Sequence, residues 1–257
     1  MEVMMKELWL EKEPSAVYGG KINQLINLYQ LGLSVPRALI LPADQVMAWL
    51  RAALPEYSKV GLKELIKLGK EDIAERLWQY PLELDWLQEL AAFCQENQAY
   101  IVRSSALLED GQVMSFAGQY DSIGNCRTLS EIEQGIRSCL LSLFNSEALA
   151  YWYRQGLADK DFAMAVLIQE QIEPDFSGVC FSLDVATNQD QTIFLEYVKG
   201  SAESLVSGQV NPEQLTLPWY KLDWSQFEKV EVPLAVLQKL HAQVLEIVAY
   251  FGRPMDI

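Results

Sequence analysis

Apolar residues at Ile22, Leu25, Ile26 and Tyr29 recur every three or four positions, and Gly32 stands where the pattern stops. This spacing predicts an amphipathic helix closed by a glycine. LSVPRALILP (33–42) then reads as a short buried strand with Pro36 at its start, where no ladder donor is lost. Residues 44–97 carry three further helical patterns, including LKELIKLG and LDWLQELAAFCQEN, whose charged faces read as solvation. From Ala99 the texture changes. AYIVRSS predicts a strand ending in a polar turn, and SEIEQGIRSCLLSLFNSEALAYWYRQG predicts a long helix with Ser130 as N-cap and Glu133 completing a capping box. DFAMAVLIQEQI and SGVCFSLD, bounded by Pro174, Asp175 and Gly178, predict adjacent antiparallel strands. QTIFLEYVKG and QLTLPWYKLD read as further strands, and a helix through Leu240 leads into FGRPMDI. The change of texture near residue 98 divides the chain into a largely helical lobe, 1–98, and a strand-rich lobe, 99–257, of the α+β class. No internal repeat or low-complexity linker interrupts either.

The 257 residues carry 35 acidic and 20 basic side chains, a net charge of −15. Such a body repels a nucleic-acid backbone, so no nucleic-acid partner is expected, and a small phosphate ligand requires a local cationic pocket. No apolar run reaches the roughly 18 residues of a membrane span, and MEVMMKELWLEKEP lacks the build of a secretory signal. The expectation is a cytoplasmic protein with no membrane partner. Cys94, Cys126, Cys139 and Cys180 are scattered without a CxxC pair, which favours buried thiols over a zinc site or disulfide framework, and no metal ligand is assigned. His241, the only histidine, lies in an apolar-periodic helix and reads as a packing residue.

Four segments can carry chemistry. Tyr18-Gly19-Gly20-Lys21 places two glycines and a cation at a helix start, where backbone amides and the helix dipole favour an anion; a glycine pair before a helix is also commonplace. Arg103, in VRSS at the end of a predicted buried strand, suits phosphate oxygens or a structural ion pair with Glu109 or Asp110. SFAGQYDS (115–122) has small residues and the Ser122 hydroxyl, fit for an anion nest or a plain hairpin turn. Ile168-Gln169-Glu170-Gln171-Ile172 ends an apolar strand with polar groups that suit the edge of a nucleobase, or a polar strand end.

The four segments occur together and in order, and with them the chain resembles the ATP-binding domain of phosphoenolpyruvate synthase (pyruvate, water dikinase), pyruvate phosphate dikinase and rifampicin phosphotransferase, a branch of the ATP-grasp architecture. The resemblance rests on residues 19–41, 100–125, 165–184, 196–214 and 251–257 and leaves 42–98 uncovered. It implies two lobes, each with mixed or antiparallel sheet and helices, that clamp ATP. Lys21 and Arg103 would contact the phosphates from the first lobe and act as the catalytic cations. Gly118 and Ser122 would cover the phosphates. Gln169, with the backbone of Glu170 and Ile172, would hold the adenine from the second lobe. In the family the β-phosphoryl group of ATP passes to a histidine on a swivelling domain, with release of AMP and phosphate in the synthase branch, and a third domain passes it to pyruvate or a drug. The implied partners are therefore ATP and the phosphohistidine and phosphoenolpyruvate/pyruvate domains of a longer enzyme or a separate chain.

Some positions depart from the family pattern. After FGRPMDI the pattern continues with Glu and Trp and then Gln-x-Arg-Pro, whose Glu and Gln bind Mg2+; those ligands are expected beyond Ile257. Leu107 replaces a usual Thr, and KGSAES replaces GLGE, which leaves Glu196 and Glu203 without an assigned role. The expectation for the isolated chain is weak ATP binding without net phosphoryl transfer. The alternative is a degenerate, non-catalytic ATP-binding or interaction module of the same fold.

Overall fold

The most continuous apolar run, MAVLIQE, forms β4 (Met164–Glu170), buried from Met164 through Gln169. The computed structural model describes residues 13–55, 69–107, 121–146, 148–149, 163–182, 191–202, 210–220 and 222–257. β4 is flanked by β1 (Ala38–Leu41) and β2 (Tyr100–Ala106), and β3 (Ser122–Cys126) pairs with the outer edge of β2. All these pairings are antiparallel, with Leu39 opposite Ile168 and Arg103 opposite both Leu167 and Ser122. A strand with both edges paired and both faces covered has no solvent face, hence its unbroken apolar sequence.

Helices complete this unit. α1 (Gly19–Gln30) buries Ile22 and Ile26 and closes at Gly32, where φ is +80° and the Leu33 N–H reaches the Leu28 carbonyl at 3.1 Å. α2 (Ala43–Ala53), α3 (Lys70–Gln79) and α4 (Leu84–Phe93) bury Trp49, Leu77 and Trp86 respectively. Residues 62–68 of LKELIKLG, the remaining helical expectation, lie outside the described residues. α5 (Leu129–Leu141) lies against β2, where a Cβ on Gly135 would stand 2.9 Å from Val102. Buried Arg137 of α5 donates to the carbonyls of Leu77 and Tyr80 at the end of α3 and stacks 5.7 Å from the Trp49 ring. A cation there satisfies helix-end carbonyls that lack intrahelical donors.

The chain divides into two compact units, Met1–Ile172 and Glu173–Ile257. The second holds β5 (Phe176–Phe181), β6 (Thr192–Lys199) and β7 (Glu213–Pro218) as an antiparallel sheet in that order. α6 (Leu234–Phe251) buries Leu237 and Val244 with Ile193, Leu195, Tyr197 and Leu217 of the sheet. Contrary to expectation, α6 has the length and composition to cross a membrane. Leu237, Val244 and Ile247 are the residues of this helix that are buried in the unit.

Other expectations also change. The compositional boundary at residue 98 falls inside the first unit, because β1 from before it and β2 from after it share β4. The segments expected as a hairpin, β4 and β5, stand in different sheets: β1 and β2 occupy both edges of β4, so none is left for β5. The cap of α5 is Thr128 and not Ser130. The Thr128 hydroxyl accepts the Glu131 N–H at 3.2 Å, and the Glu131 carboxylate accepts the N–H groups of Thr128 and Arg127 at 2.9 and 2.7 Å. The helix ends at Leu141, followed by a 3-10 turn over Ser142–Phe144. The class is α+β with antiparallel sheets.

Candidate functional site

Three of the predicted residues meet on the first sheet, and the local sequence explains how. α1 starts after Tyr18, whose side chain makes no cap. Instead the Ser105 hydroxyl of β2 accepts the Ile22 N–H at 3.3 Å, so the strand itself caps the helix. The approach is close: Gly19 has φ of +72°, and a Cβ there would sit 2.4 Å from the Ser105 carbonyl oxygen. Gly19 thus serves contact between backbones. It brings half-buried Lys21 over β2, where its ammonium donates to the Ser104 carbonyl at 3.3 Å.

Arg103 is the next residue back along β2, and its guanidinium donates to Gln169 Oε1 at 3.3 Å. Gln169 is buried, and its own amide reaches the Pro36 carbonyl at 3.5 Å. Arg103 and Gln169 are diagonal neighbours on one face, because Arg103 opposes Leu167 while Gln169 opposes Ile101. Both therefore belong to one unit and one sheet, which corrects the expectation that Gln169 stands in a second lobe.

Glu170 is held twice by Arg37. The Arg37 carbonyl accepts its N–H at 2.8 Å, and the Arg37 guanidinium pairs with its carboxylate at 3.1 Å while lying 5.3 Å from the Phe93 ring. Its backbone N–H is thus engaged in the protein. The Gln171 N–H donates to the carbonyl of Ala99, just before β2, at 2.8 Å, and its side-chain oxygen accepts the Asn125 N–H of β3 at 2.6 Å. Beyond it Ile172 is 58% exposed, and neither of its backbone groups has a hydrogen-bond partner among the described residues. Ser122 is exposed at the start of β3, opposite Arg103. Gly118 and Glu203 lie outside the described residues, as do Glu109 and Asp110; Gln169 is one partner of Arg103.

Sequence reasoning missed Ser104, whose hydroxyl is fully buried next to the Lys21 contact without a hydrogen-bond partner among the described residues. The serine pair of VRSS was its only signal. Cys139 of α5 points its thiol at the carbonyls of Val102 and Asp121, at 3.5 and 3.3 Å. Burial pushes this thiol up to about 12, the negative charges of Asp121 and Cys126 add to the effect, and the Lys21 ammonium opposes it. The thiol is neutral at physiological pH and is not a nucleophile.

His241 contacts the Pro218 carbonyl at 2.9 Å and meets Trp224 edge-on at 5.6 Å, a packing role. Glu196 of β6 accepts from the Gln214 amide at 2.8 Å. Among the described residues no cluster of three or more His, Cys, Asp or Glu side chains is placed to hold a metal ion, so no Mg2+ ligands are assigned within them.

The sequence profile of the family described as pyruvate phosphate dikinase, AMP/ATP-binding domain, matches residues 15–224. A rifampicin phosphotransferase of Streptomyces sviceus is 32% identical over 216 residues, which cover 79% of this chain and 25% of that protein. The phosphoenolpyruvate synthase of Escherichia coli is 29% identical over 216 residues, 76% of this chain and 27% of that protein. A rifampicin phosphotransferase of Bacillus cereus is 26% identical over 287 residues, 96% of this chain and 33% of that protein. The chain thus spans about a quarter to a third of the length of these relatives.

Proposed function

Because this chain belongs to the pyruvate phosphate dikinase AMP/ATP-binding domain family, we propose that it binds ATP through Lys21 and Arg103 on the phosphates and the end of β4 on the adenine. The carrying observation is the Arg103–Gln169 hydrogen bond beside the Lys21–Ser104 contact, which couples the two cations to the strand proposed for the base. A polyphosphate would find two cations, Lys21 from α1 and Arg103 from β2, in an otherwise acidic body. The planar guanidinium accepts a phosphate in two bonds, and the ammonium acts as a point charge. The exposed Ile172 backbone offers one donor and one acceptor beside β4, which suits the edge of adenine. Glu170 contributes through its carbonyl, since Arg37 occupies its N–H and carboxylate.

By resemblance this is an ATP-grasp domain within a longer dikinase-type phosphotransferase. There the β-phosphoryl group moves from ATP to a histidine of another domain and then to an acceptor such as pyruvate. The greater length of the relatives supports partner domains of that kind. The chemistry asks the domain to position ATP and neutralise its charge, which Lys21 and Arg103 supply without covalent participation. Mg2+ would add charge neutralisation, and no step is assigned to it here. Isothermal titration with ATP and Mg2+ tests the reading. Wild type should bind, and Arg103→Ala, which removes a charge-assisted contact of about 1.5–3 kcal/mol, should bind roughly 10- to 150-fold more weakly. No heat at millimolar ATP would overturn the proposal, and so would equal affinity in the variant.

A further inference from the structure

The main chain leaving β4 is aimed by the bonds it makes on its β2 side. A trans peptide unit is planar with its C=O and N–H pointing in opposite directions, so a partner on one group sets the direction of the other. The Gln171 N–H donates to the Ala99 carbonyl at 2.8 Å. The Glu170 carbonyl, in the same peptide unit, therefore points away from β2, to the side on which the Glu170 N–H meets the Arg37 carbonyl. The next peptide unit is held by a side chain. Gln98 Nε2 donates to the Gln171 carbonyl at 3.1 Å and to the Ala99 carbonyl at 2.7 Å. The Ile172 N–H, across that peptide bond, is thereby turned to the same side as the Glu170 carbonyl.

In a regular antiparallel ladder the Ala99 N–H would return a bond to the Gln171 carbonyl. No such bond forms, and the Gln98 amide takes its place. The turn between α4 and β2 puts it there: Asn97 holds φ of +63°, the Gln98 N–H reaches the Gln95 carbonyl at 3.4 Å, and the Gln95 N–H donates to the Tyr100 hydroxyl at 2.8 Å. Asparagine tolerates this left-handed conformation better than most residues. The outcome is an open edge. Neither the Glu170 carbonyl nor the Ile172 N–H has a hydrogen-bond partner among the described residues, so an acceptor is followed, two residues on, by a donor.

We infer that Gln98 is a positioning residue for the nucleobase. By orienting the Ile172 N–H, it makes this edge complementary to adenine and not to a 6-oxopurine. The inference rests on the proposed placement of the base at the end of β4. Adenine answers the Glu170 carbonyl with its exocyclic amino group and the Ile172 N–H with N1. In hypoxanthine both are reversed, with O6 an acceptor and a proton on N1, so like groups face each other. A site built to hydrogen-bond one ligand rejects another that leaves its polar groups unpaired. Gln98 acts only through the peptide it holds.

Isothermal titration of the full chain with ATP, ITP and tripolyphosphate, each with Mg2+, tests this role. Gln98→Met keeps the stem of the side chain and removes the donor. It should weaken ATP binding roughly 3- to 10-fold, the effect of one neutral hydrogen bond, and leave ITP and tripolyphosphate unchanged. Gln98→Glu sets a carboxylate against the two carbonyls and should lower the ratio of ATP to ITP affinity at least as far; it carries the comparison if the Met variant does not fold. An unchanged ratio in a folded variant overturns the role of Gln98. Equal weakening of all three ligands does so too, since it marks a residue that only supports the fold. A wild type that binds no ATP, or that does not distinguish ATP from ITP, overturns the placement of the base and this inference with it.

Discussion

Gly19→Ala isolates the contact that seats Lys21 on β2. The substitution carries two costs. A Cβ at φ of +72° meets backbone strain of about 1–2 kcal/mol. It also stands 2.4 Å from the Ser105 carbonyl oxygen, 2.6 Å from the Ser105 hydroxyl and 2.8 Å from the Ala106 carbonyl oxygen, two of them backbone atoms of a strand paired on both edges. Overpacking against such atoms costs about 1–3 kcal/mol more. Gly32→Ala is the matched reference, with φ of +80° and nothing within 4 Å of the new Cβ, so it bears the strain alone. At roughly 2–4 °C per kcal/mol for a unit of this size, Gly32→Ala should lower Tm by about 2–8 °C and Gly19→Ala by about 4–20 °C. Relief of the clash moves α1 off β2 and separates Lys21 from the Ser104 carbonyl, so only Gly19→Ala should also weaken ATP binding. Thermal unfolding followed by circular dichroism, with ATP titration of each folded variant, reads both effects. Equal Tm loss in the two variants would refute the close-contact argument, and unchanged ATP affinity in Gly19→Ala would refute the link to Lys21.

Arg137→Met keeps the volume but leaves the Leu77 and Tyr80 carbonyls without their donor, and urea denaturation should show a loss of about 2–4 kcal/mol. Thr128→Ala removes the capping hydroxyl of α5 and should cost about 1 kcal/mol by the same measurement, whereas Ser130→Ala should be close to neutral. The Glu131 carboxyl is held below its usual range by the N–H groups of Arg127 and Thr128. Its contribution is therefore present above that range and lost as pH falls, so acid titration of the Glu131→Gln variant should give a flatter stability curve than wild type. Cys139 acts in the opposite direction, since its folded value of about 12 exceeds the ordinary 9.0. Its contribution is complete below pH 9 and lost as pH rises toward 12, at about 1.4 kcal/mol per pH unit. Between pH 8 and 10.5 wild type should lose about 2 kcal/mol more than Cys139→Ala, and parallel curves would contradict the burial argument.

Period carried most of the secondary structure because burial is one-sided on α1 and two-sided on β4, and each leaves its own apolar spacing. Local signals failed where two answers fit the same residues. Thr128 and Ser130 each precede a glutamate by three positions, and only packing chooses between them: a start at Leu129 turns Ile132, Ile136 and Cys139 inward. Pro174 and Asp175 read as a hairpin turn, yet the edges of β4 were already occupied by strands distant in sequence. β3 is exposed at Ser122, Gly124 and Asn125 and left no alternation to read. At the site, the residue types of Lys21, Arg103 and Gln169 were legible. Their arrangement was not, because it depends on Gly19 fitting the backbone of a strand more than 80 positions later. Ser104 shows the same limit, since burial without a partner is a property of packing alone.

In the proposed function Lys21 and Arg103 bind phosphates beside a strand that binds the base. The ratio of ATP affinity to adenosine affinity, measured by titration for wild type and Arg103→Ala, tests it most directly. The ratio should fall roughly 10- to 150-fold in the variant, because ATP loses a charge-assisted contact that adenosine never makes. An unchanged ratio, whether both ligands weaken together or neither does, would contradict it.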